Sequence, residues 1–394
     1  MVADQLRVVP RPAGIGELFQ LLRDGQPRTR ADLAQETGQS RSTVATRVDQ
    51  LLASGFVAAA GEASSTGGRP PATFAFNPAA RIVLAIDLGA THARVAVTDL
   101  AQHVLAEVNE PIAIAQGPEP VLARVAAVGA TLVARAGRTL ADLVSVGVGL
   151  PGPVAHSTGR PIDPPIMPGW DDADVPAHLG GLLGSVVLVD NDVNLMALGE
   201  HAAVWPDVDH LLFIKVATGI GAGIISDGRI RRGAQGAAGD LGHIAVPGGP
   251  EVACRCGNTG CLEAIASGQA VADALRAEGL DVATSADVVA LVRAGDRAAS
   301  LAVREAGRDI GKVLATCVSL LNPSVIVVGG VVAGAGEHLL AGIREVVYRR
   351  SLPLATQHLR IVTTRTAGRA GVLGASSMAT EHVLSPAAID ALLT

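Results

Sequence analysis

Side chains that bind metal ions are concentrated in one short stretch of this chain. Three of its four cysteines, Cys254, Cys256 and Cys261, lie within eight positions, and His243 stands eleven residues before the first of them. Three thiolates and one imidazole suit a tetrahedral zinc ion, and four protein ligands leave no position for an activated water. Glycines between the cysteines accept positive φ and allow the tight backbone that such a site needs. We therefore predict a structural zinc site with these four ligands.

Disulfide formation is the alternative use of these thiols. The N-terminus shows no charged segment followed by an apolar segment, the pattern of a secretion signal, so we expect a cytoplasmic protein with reduced cysteines. The fourth cysteine, Cys317, stands alone in an apolar helical pattern and is expected in the core. No run of about 18 apolar residues appears, so no membrane span is predicted.

Glycine-bearing turns follow predicted strands at three points of the chain. Strand 82–87 ends in an aspartate, strand 211–216 precedes a glycine-rich turn at 217–223, and strand 325–328 runs into two glycines. Such turns present N–H groups to phosphates, and their order suits a nucleotide bound in a cleft. The candidate phosphate contacts are Asp87, Gly89, Thr91, Thr218, Gly219, Gly221, Gly329 and Gly330. A hairpin with a buried aspartate would produce the same first pattern.

A polar triplet, Asp190, Asn191 and Asp192, follows the predicted strand 186–189. Functional side chains in α/β sheets project from the carboxyl ends of strands, so Asp192 is a candidate general base or hydroxyl acceptor and Asn191 a paired donor and acceptor. Alternatively, Asp190 or Asp192 only caps the following helix, and spacing leaves both interpretations open. The proline-rich segment that ends at Trp170 is predicted to be a loop over the cleft, with its tryptophan either a lid or part of the packing.

Three helical patterns joined by short turns lie between residues 14 and 60. Thr29 and Ser40 are predicted N-caps of the second and third helices, and residues 38–40 form the turn between them. This arrangement is typical of a helix-turn-helix, and the strand-like segments 56–58 and 73–76 predict a wing. The candidate DNA contacts are Ser40, Arg41, Ser42, Thr43 and Arg47 in the third helix and Arg69 at the wing tip. A helical protein-interaction module with solvated arginines is the alternative.

Composition limits the function. The chain has 394 residues, enough for two or three domains, and 49% of them are hydrophobic. Its net charge of −6 gives no general reason to bind nucleic acid. Residues 1–80 carry eight arginines and seven acidic residues (+1), whereas the remainder carries 23 basic and 30 acidic residues (−7). This small asymmetry permits DNA binding at the N-terminus, and the strand–helix alternation after residue 81 predicts an α/β sheet.

The order of these turns, together with the cysteine cluster, resembles the ROK family of sugar kinases and sugar-responsive repressors over nearly the whole chain. The pattern that carries the resemblance is Cys254-x-Cys256-Gly257-x-x-Gly260-Cys261-x-Glu263, and the added winged helix resembles the repressor branch. The resemblance implies an N-terminal winged helix-turn-helix (1–80) followed by an α/β actin-like, ribonuclease H-like, two-lobed domain of the sugar-kinase type. Its lobes would be 81–191 and 192–369, with a C-terminal helix at 370–394 completing the first. A homodimer or homotetramer is implied.

The resemblance also implies the contacts of a sugar held between the lobes. Asn191 and Asp192 would grip hydroxyl groups, His243 would bind zinc through one nitrogen and a hydroxyl through the other, and Glu263 would accept a further hydroxyl. Asp240 stands where the family usually has glutamate, so its carboxylate reaches about 1.5 Å less and the sugar is expected to be held differently or through water.

Two functions compete. The first hypothesis is a transcriptional regulator, a repressor that binds a pseudo-palindromic operator in double-stranded DNA and takes a sugar or sugar phosphate as effector. The alternative is an ATP-dependent sugar kinase of the hexokinase type, alone or combined with regulation, in which Asp192 accepts the hydroxyl proton while Mg·ATP lies against the glycine turns. A zinc-stabilised interaction module without small ligands would explain neither Asp192 nor the phosphate turns.

Overall fold

The computed structural model describes residues 14–63 and 70–393. The N-terminal part consists of α1 (Ile15–Leu22), β1 (Arg28–Thr29), α2 (Arg30–Thr37), α3 (Arg41–Ser54), β2 (Val57–Glu62) and β3 (Ala72–Phe76). The three strands form an antiparallel sheet in the order β1-β3-β2 beside the helices. This is a winged helix-turn-helix, as predicted. Arg69, the predicted wing-tip contact, lies outside the described residues.

Local capping determines where the helices of this part begin and end. The Thr29 side chain accepts a hydrogen bond from the Asp32 amide while the Asp32 carboxylate accepts from the Thr29 amide, a complete capping box. Gly38 ends α2 in the left-handed conformation with φ of 67°, which costs glycine little. The Ser40 hydroxyl accepts from the Thr43 amide at 3.1 Å and starts α3. The predicted limits of α2 and the predicted start of α3 are therefore confirmed.

A first mixed sheet follows the winged helix. Its elements are β4 (Ile82–Leu88), β5 (His92–Asp99), β6 (Val104–Pro111), α4 (Pro118–Arg135), β7 (Leu143–Leu150), β8 (Val154–Ala155), β9 (Arg160–Pro161), α5 (Val175–Leu183) and β10 (Val186–Asn191). The strand order is β10-β7-β4-β5-β6, with the first three strands parallel. Asp87, Gly149 and Asp190 lie side by side across the parallel strands. Their carboxyl ends therefore form one polar edge.

A second sheet of the same size makes up the other lobe. The elements from here to the C-terminus are α6 (Asp192–Val204), β11 (Leu211–Val216), β12 (Ile220–Ser226), β13 (Arg229–Ile230), α7 (Leu262–Ala266), α8 (Gly268–Ala277), α9 (Ser285–Arg293), α10 (Arg297–Leu321), β14 (Val325–Gly329), α11 (Glu337–Arg350), α12 (Pro353–Thr356), β15 (Arg360–Thr363), α13 (Ala370–Leu384) and α14 (Pro386–Leu393). The strand order is β13-β12-β11-β14-β15. The α/β fold with two sheets agrees with the expectation.

The predicted glycine-rich turn at 217–223 is shorter than expected. Strand β12 already begins at Ile220, so Gly221 and Gly223 lie within the sheet and only residues 217–219 form the turn. Both glycines face α6: a methyl group at Gly223 would stand 2.7 Å from the Val193 carbonyl oxygen, and one at Gly221 would stand 3.0 Å from the Val193 side chain. These glycines allow the close approach of a helix to the sheet, so the assignment of Gly221 to a phosphate turn is wrong.

Helix α6 lies between the two lobes. Val193 and Ala197 on one face pack with Phe213 in the core of the second lobe. Leu195 on another face packs with Val372 and Ala375 of α13. A methyl group at Gly374 would overlap the Leu195 carbonyl oxygen, which shows that the two helix backbones are in direct contact. Helix α6 therefore touches both the second sheet and α13, which itself packs on β4 and β7.

The C-terminal segment, expected as one helix at 370–394, forms two helices. Ser385 is extended and Pro386 begins α14, because proline has no N–H group to continue the preceding helix. Helix α14 packs against α1 of the winged helix, and the buried side chains of both helices share one apolar cluster. The Asp390 carboxylate accepts a hydrogen bond of 2.8 Å from the Gly16 amide, and Gln20 donates to the Leu384 carbonyl at 2.7 Å.

Two further expectations concern buried side chains. Trp170 is fully buried and its indole N–H donates to the Ile114 carbonyl at 2.9 Å, so it is part of the packing of the first lobe and not a lid. Cys317 lies in the core of the second lobe, as predicted. Among residues 14–63 and 70–393, no helix combines the length and the apolar character needed to cross a membrane.

Candidate functional site

The four predicted metal ligands converge. One ligand atom from each of His243, Cys254, Cys256 and Cys261 lies within 4.8 Å of all the others. The Cys254 Sγ is 3.6 Å from the His243 Nδ1, and the Cys256 and Cys261 sulfurs are 3.7 Å apart. Sulfurs that share a tetrahedral zinc with bonds of about 2.3 Å lie about 3.8 Å apart, so the donor set and its spacing fit this ion. The group can hold one metal ion.

The two ring nitrogens of His243 face different neighbours. Its Nδ1 faces the sulfurs, whereas its Nε2 points the other way, 4.0 Å from the Asp240 carboxylate. Asp240 is exposed and immediately precedes the short helical turn that carries the histidine. The imidazole can therefore bind a metal on one side and a hydroxyl group on the other, the division of roles that the sequence resemblance implies.

Asn191 provides the cap of helix α6. Its side-chain oxygen accepts from the Val193 amide at 2.9 Å and from the Asn194 amide at 3.3 Å, and its Nδ2 donates to the Gly152 carbonyl at 3.0 Å. The alternative that Asp190 or Asp192 caps this helix is therefore wrong. The cap leaves the Asp192 carboxylate available for other partners and leaves one N–H of the Asn191 amide to donate.

The neighbouring Asp190 is buried and forms hydrogen bonds with other residues around the site. Its carboxylate is 2% exposed and accepts from the Asn191 amide at 2.7 Å, from the Asn194 side chain at 2.9 Å and from the Arg232 Nε at 2.6 Å. Arg232 follows β13, so this ion pair joins the edges of the two lobes. Neither the role of Asp190 nor that of Arg232 was apparent from the sequence, because the partners lie 42 positions apart.

Lys215 is the principal side chain of the site that sequence patterns did not reveal. It lies near the end of β11, where its backbone pairs with Gly221 of β12 and Gly329 of β14, and its ammonium group forms an ion pair with the Asp192 carboxylate. The one available signal was composition: Lys215 and Lys312 are the only lysines among the 31 basic residues of the sequence.

One carboxylate pairs with the Lys215 ammonium group, and the charges of two more act on it. Burial by itself would favour the neutral amine, but the charges of Asp192, Asp87 and Glu263 outweigh this effect and raise the pKa of Lys215 above its ordinary value. Burial also raises the pKa of Asp87 to about 6, and the neighbouring Asp192 carboxylate acts in the same direction. The site therefore contains a charged Lys215–Asp192 pair beside an aspartate that resists ionisation.

The described atoms show how close these acids are. A methyl group placed on Gly149 would stand 3.6 Å from the Asp87 carboxylate and 3.5 Å from the Asp192 Cα, so both aspartates lie next to this glycine. The third acid, Glu263, accepts a hydrogen bond of 3.0 Å from the Ile220 amide just after the turn at 217–219. Asp192 thus pairs with Lys215, Asp87 lies beside the same glycine as Asp192, and Glu263 lies at the turn that follows β11.

The remaining candidate phosphate contacts differ in their exposure and in their neighbours. The Gly89 amide donates to the His92 carbonyl at 2.8 Å, and the His92 ring lies against this glycine. Gly330 has φ of 83° and lies against the Val216 backbone, beside the turn that carries the exposed Thr218 and the half-buried Gly219. Gly329 is buried at the end of β14 against the Phe213 ring, so it is a packing residue, and Thr91 is exposed.

The predicted DNA contacts divide into two groups. Arg41, Ser42 and Thr43 are exposed at the first turn of α3, and Ser40 precedes them as the cap. Arg47 is half-buried and donates a hydrogen bond to the Gln39 side chain, across the turn between α2 and α3. The exposed surface thus consists of the N-terminal turn of α3, which is the part of a recognition helix that reaches base edges.

Comparisons with known proteins agree with this architecture. The ROK family model matches residues 83–382, and a winged helix-turn-helix DNA-binding model matches residues 18–58. A putative xylose repressor of Caldicellulosiruptor sp. is 29% identical over 93% of this chain and 95% of its own length, and the glucokinase of Thermotoga maritima is 30% identical over 76% and 98%.

A solved structure covers both parts of the molecule. The crystal structure of a ROK family transcriptional regulator, a homolog of the E. coli MLC protein, superposes with a TM-score of 0.80 at 26% identity over 96% of this chain and 98% of that one. The family match extends over the two lobes, and the winged helix precedes it. The chain therefore belongs to the ROK family.

Proposed function

We propose that this protein is a sugar-responsive transcriptional repressor that binds operator DNA through its winged helix and an effector sugar between its lobes. The observation that carries the proposal is the direct packing of the winged helix onto helices that reach the candidate sugar site. The similarity to a putative xylose repressor along 93% of the chain supports the same function.

The chemistry of the space between the lobes suits a sugar. Carboxylates and imidazole nitrogens accept hydrogen bonds from hydroxyl groups, and the amide N–H of Asn191 donates one. The proposed contacts are Asn191, Asp192, Asp240, His243 and Glu263. A structural zinc held by His243 and the three cysteines would fix the imidazole, since a metal bond at Nδ1 restricts the ring and leaves Nε2 facing the ligand.

Packing provides a route from this site to DNA. Asp192 is the first residue of α6, and the backbone of α6 touches α13 at Gly374. Helix α13 continues after one residue into α14, whose Asp390 holds the start of α1 in the winged helix. A sugar whose hydroxyl group donates a hydrogen bond to Asp192 would shift α6 and, through these contacts, the position of α3. A coupling of about 1–3 kcal/mol would change operator affinity about 5- to 150-fold.

The DNA target follows from the docking geometry of the helix-turn-helix. We propose a cytoplasmic homodimer, or a homotetramer built from such dimers, whose two α3 helices enter the major groove at half-sites of a pseudo-palindrome. Such half-sites lie about 34–36 Å, or a multiple of this distance, apart. Arg41, Ser42 and Thr43 would contact base edges and phosphates, with Arg69 of the wing on the backbone or minor groove.

Operator titration tests this function. Sites selected by the zinc-loaded protein from random duplex DNA are titrated by fluorescence anisotropy, with and without D-xylose, D-glucose and their phosphates. We expect a pseudo-palindromic site and at least one sugar that changes its Kd about fivefold or more. Failure to select any sequence would refute DNA recognition, and a selected site whose Kd responds to no sugar in a broad panel would refute sugar control.

A further inference from the structure

The family includes kinases, so the cleft of this chain can be tested for its fit to Mg·ATP. Phosphoryl transfer from ATP requires Mg²⁺ ions that bridge the phosphates and neutralise the developing charge, and a base that accepts the hydroxyl proton. Asp87 and Asp192 would be the residues to interact with the metal and the hydroxyl group. The fit of Mg·ATP therefore depends on whether these two carboxylates are available.

Lys215 already pairs with one of these carboxylates, that of Asp192. Its ammonium group is paired with Asp192, and the carboxylates of Asp87 and Glu263 are close enough to act on its charge. Asp192 is 3% exposed, so a lysine that pairs with it in a buried place also excludes solvent cations from it. A divalent cation brought between Asp87 and Asp192 would meet a fixed positive charge in surroundings where charges are poorly screened.

The backbone holds the lysine in this position. Lys215 lies inside the second sheet, with β12 on one side and β14 on the other, so its Cα cannot move away without loss of strand pairing. Its neighbours in register, Gly221 and Gly329, carry no side chains. The ammonium group is therefore brought to Asp192, the first residue of α6, from a rigid part of the second lobe.

We infer that Lys215 is a tethered cation that takes the place of the divalent metal, so that this cleft binds its sugar without Mg·ATP and does not transfer phosphate. The inference rests on the proposed function, because it takes the cleft to be a sugar site. It assigns to Lys215 a positioning role, since the ion pair holds the Asp192 carboxylate in place.

Neutral substitutions of Lys215 test this role. Lys215→Met removes the charge at similar length, and Lys215→Gln keeps a hydrogen-bond donor for Asp192 in case the methionine variant does not fold. Lys312→Met is the matched control, because Lys312 is 25% exposed against 21% for Lys215 and also pairs with an aspartate, Asp309. Mn²⁺ is titrated into zinc-saturated protein and the free ion is measured by electron paramagnetic resonance.

We expect the wild type and Lys312→Met to bind Mn²⁺ weakly, and the Lys215 variants to bind it at least about tenfold more tightly, because loss of the lysine leaves buried acids without a counter-charge. Two results would overturn the inference: folded Lys215 variants that bind Mn²⁺ no better than Lys312→Met, or wild-type protein that binds Mn·ATP and releases ADP in the presence of a sugar. Operator titrations on the same samples separate this outcome from failure of the proposed repressor function, because they use neither Mn²⁺ nor ATP.

Discussion

The contact between Asp390 and the first turn of α1 is the point at which the route from sugar to DNA can be interrupted. The N-cap of α1 is Gly14, which offers no side-chain cap, and the Asp390 carboxylate accepts from the Gly16 amide instead. Replacement of a capping side chain by alanine costs about 0.5–2 kcal/mol. We expect Asp390→Ala to weaken the docking of the winged helix on α14 by about 1 kcal/mol.

This loss should appear in the response to sugar. If the coupling energy passes through this contact, a loss of about 1 kcal/mol reduces the ratio of operator Kd values with and without sugar about fivefold. The measurement is a pair of operator titrations, one with saturating sugar and one without. The affinity of the variant for the sugar itself is measured by thermal shift. We expect its sugar Kd to differ from that of the wild type by no more than the same factor of about five.

Asp390→Asn provides the matched control. Asparagine caps helices about as well as aspartate, so this variant loses the charge but keeps the hydrogen bond. We expect it to retain most of the response to sugar. If Asp390→Ala responds to sugar as the wild type does, while calorimetry shows that it is destabilised, the route through α14 is refuted.

Three further predictions concern the metal, the DNA surface and the buried acid. Cys254→Ser should lower the zinc content measured by mass spectrometry from one ion per chain and abolish the sugar-induced thermal shift, because His243 loses its anchor; a retained shift without metal would contradict this role. Arg41→Ala should weaken operator binding and reduce the slope of log K against log salt by about 1 if this arginine contacts a phosphate, whereas an unchanged slope would place it away from the DNA backbone. The pKa of Asp87 is raised from 3.8 to about 6, so the folded state binds this proton more tightly than the unfolded chain, and stability falls as pH rises from about 4 to 6. Asp87→Asn should therefore be more stable than the wild type at pH 7.5, by up to the order of 3 kcal/mol, and this advantage should vanish towards pH 4 in denaturant titrations; an advantage independent of pH would refute the assignment.

Local rules explain what could be predicted from the sequence. Thr29, Gly38 and Ser40 determine the ends of α2 and α3 because capping depends on residues three or four positions apart. The metal group was predictable for a related reason: its cysteines are close in the chain, and Gly257 and Gly260 adopt the positive φ values, 90° and 72°, that a tight ligand loop requires. In both cases chemistry and spacing along the chain were sufficient.

The parts of the site that were missed depend on contacts between distant segments. Gly221 resembled a phosphate-turn residue, but the approach of α6 to β12 explains its lack of a side chain. Nothing near Lys215 in the sequence indicates that Asp192, 23 positions away at the start of α6, is its partner. Asp390 caps a helix that begins 375 positions earlier, at Ile15. Local patterns were thus enough to predict the winged helix, the alternation of strands and helices, and the candidate metal ligands. The acid that pairs with Lys215 and the helix that carries the winged helix could not be predicted in this way, because these pairings form when the two sheets and the C-terminal helices pack together.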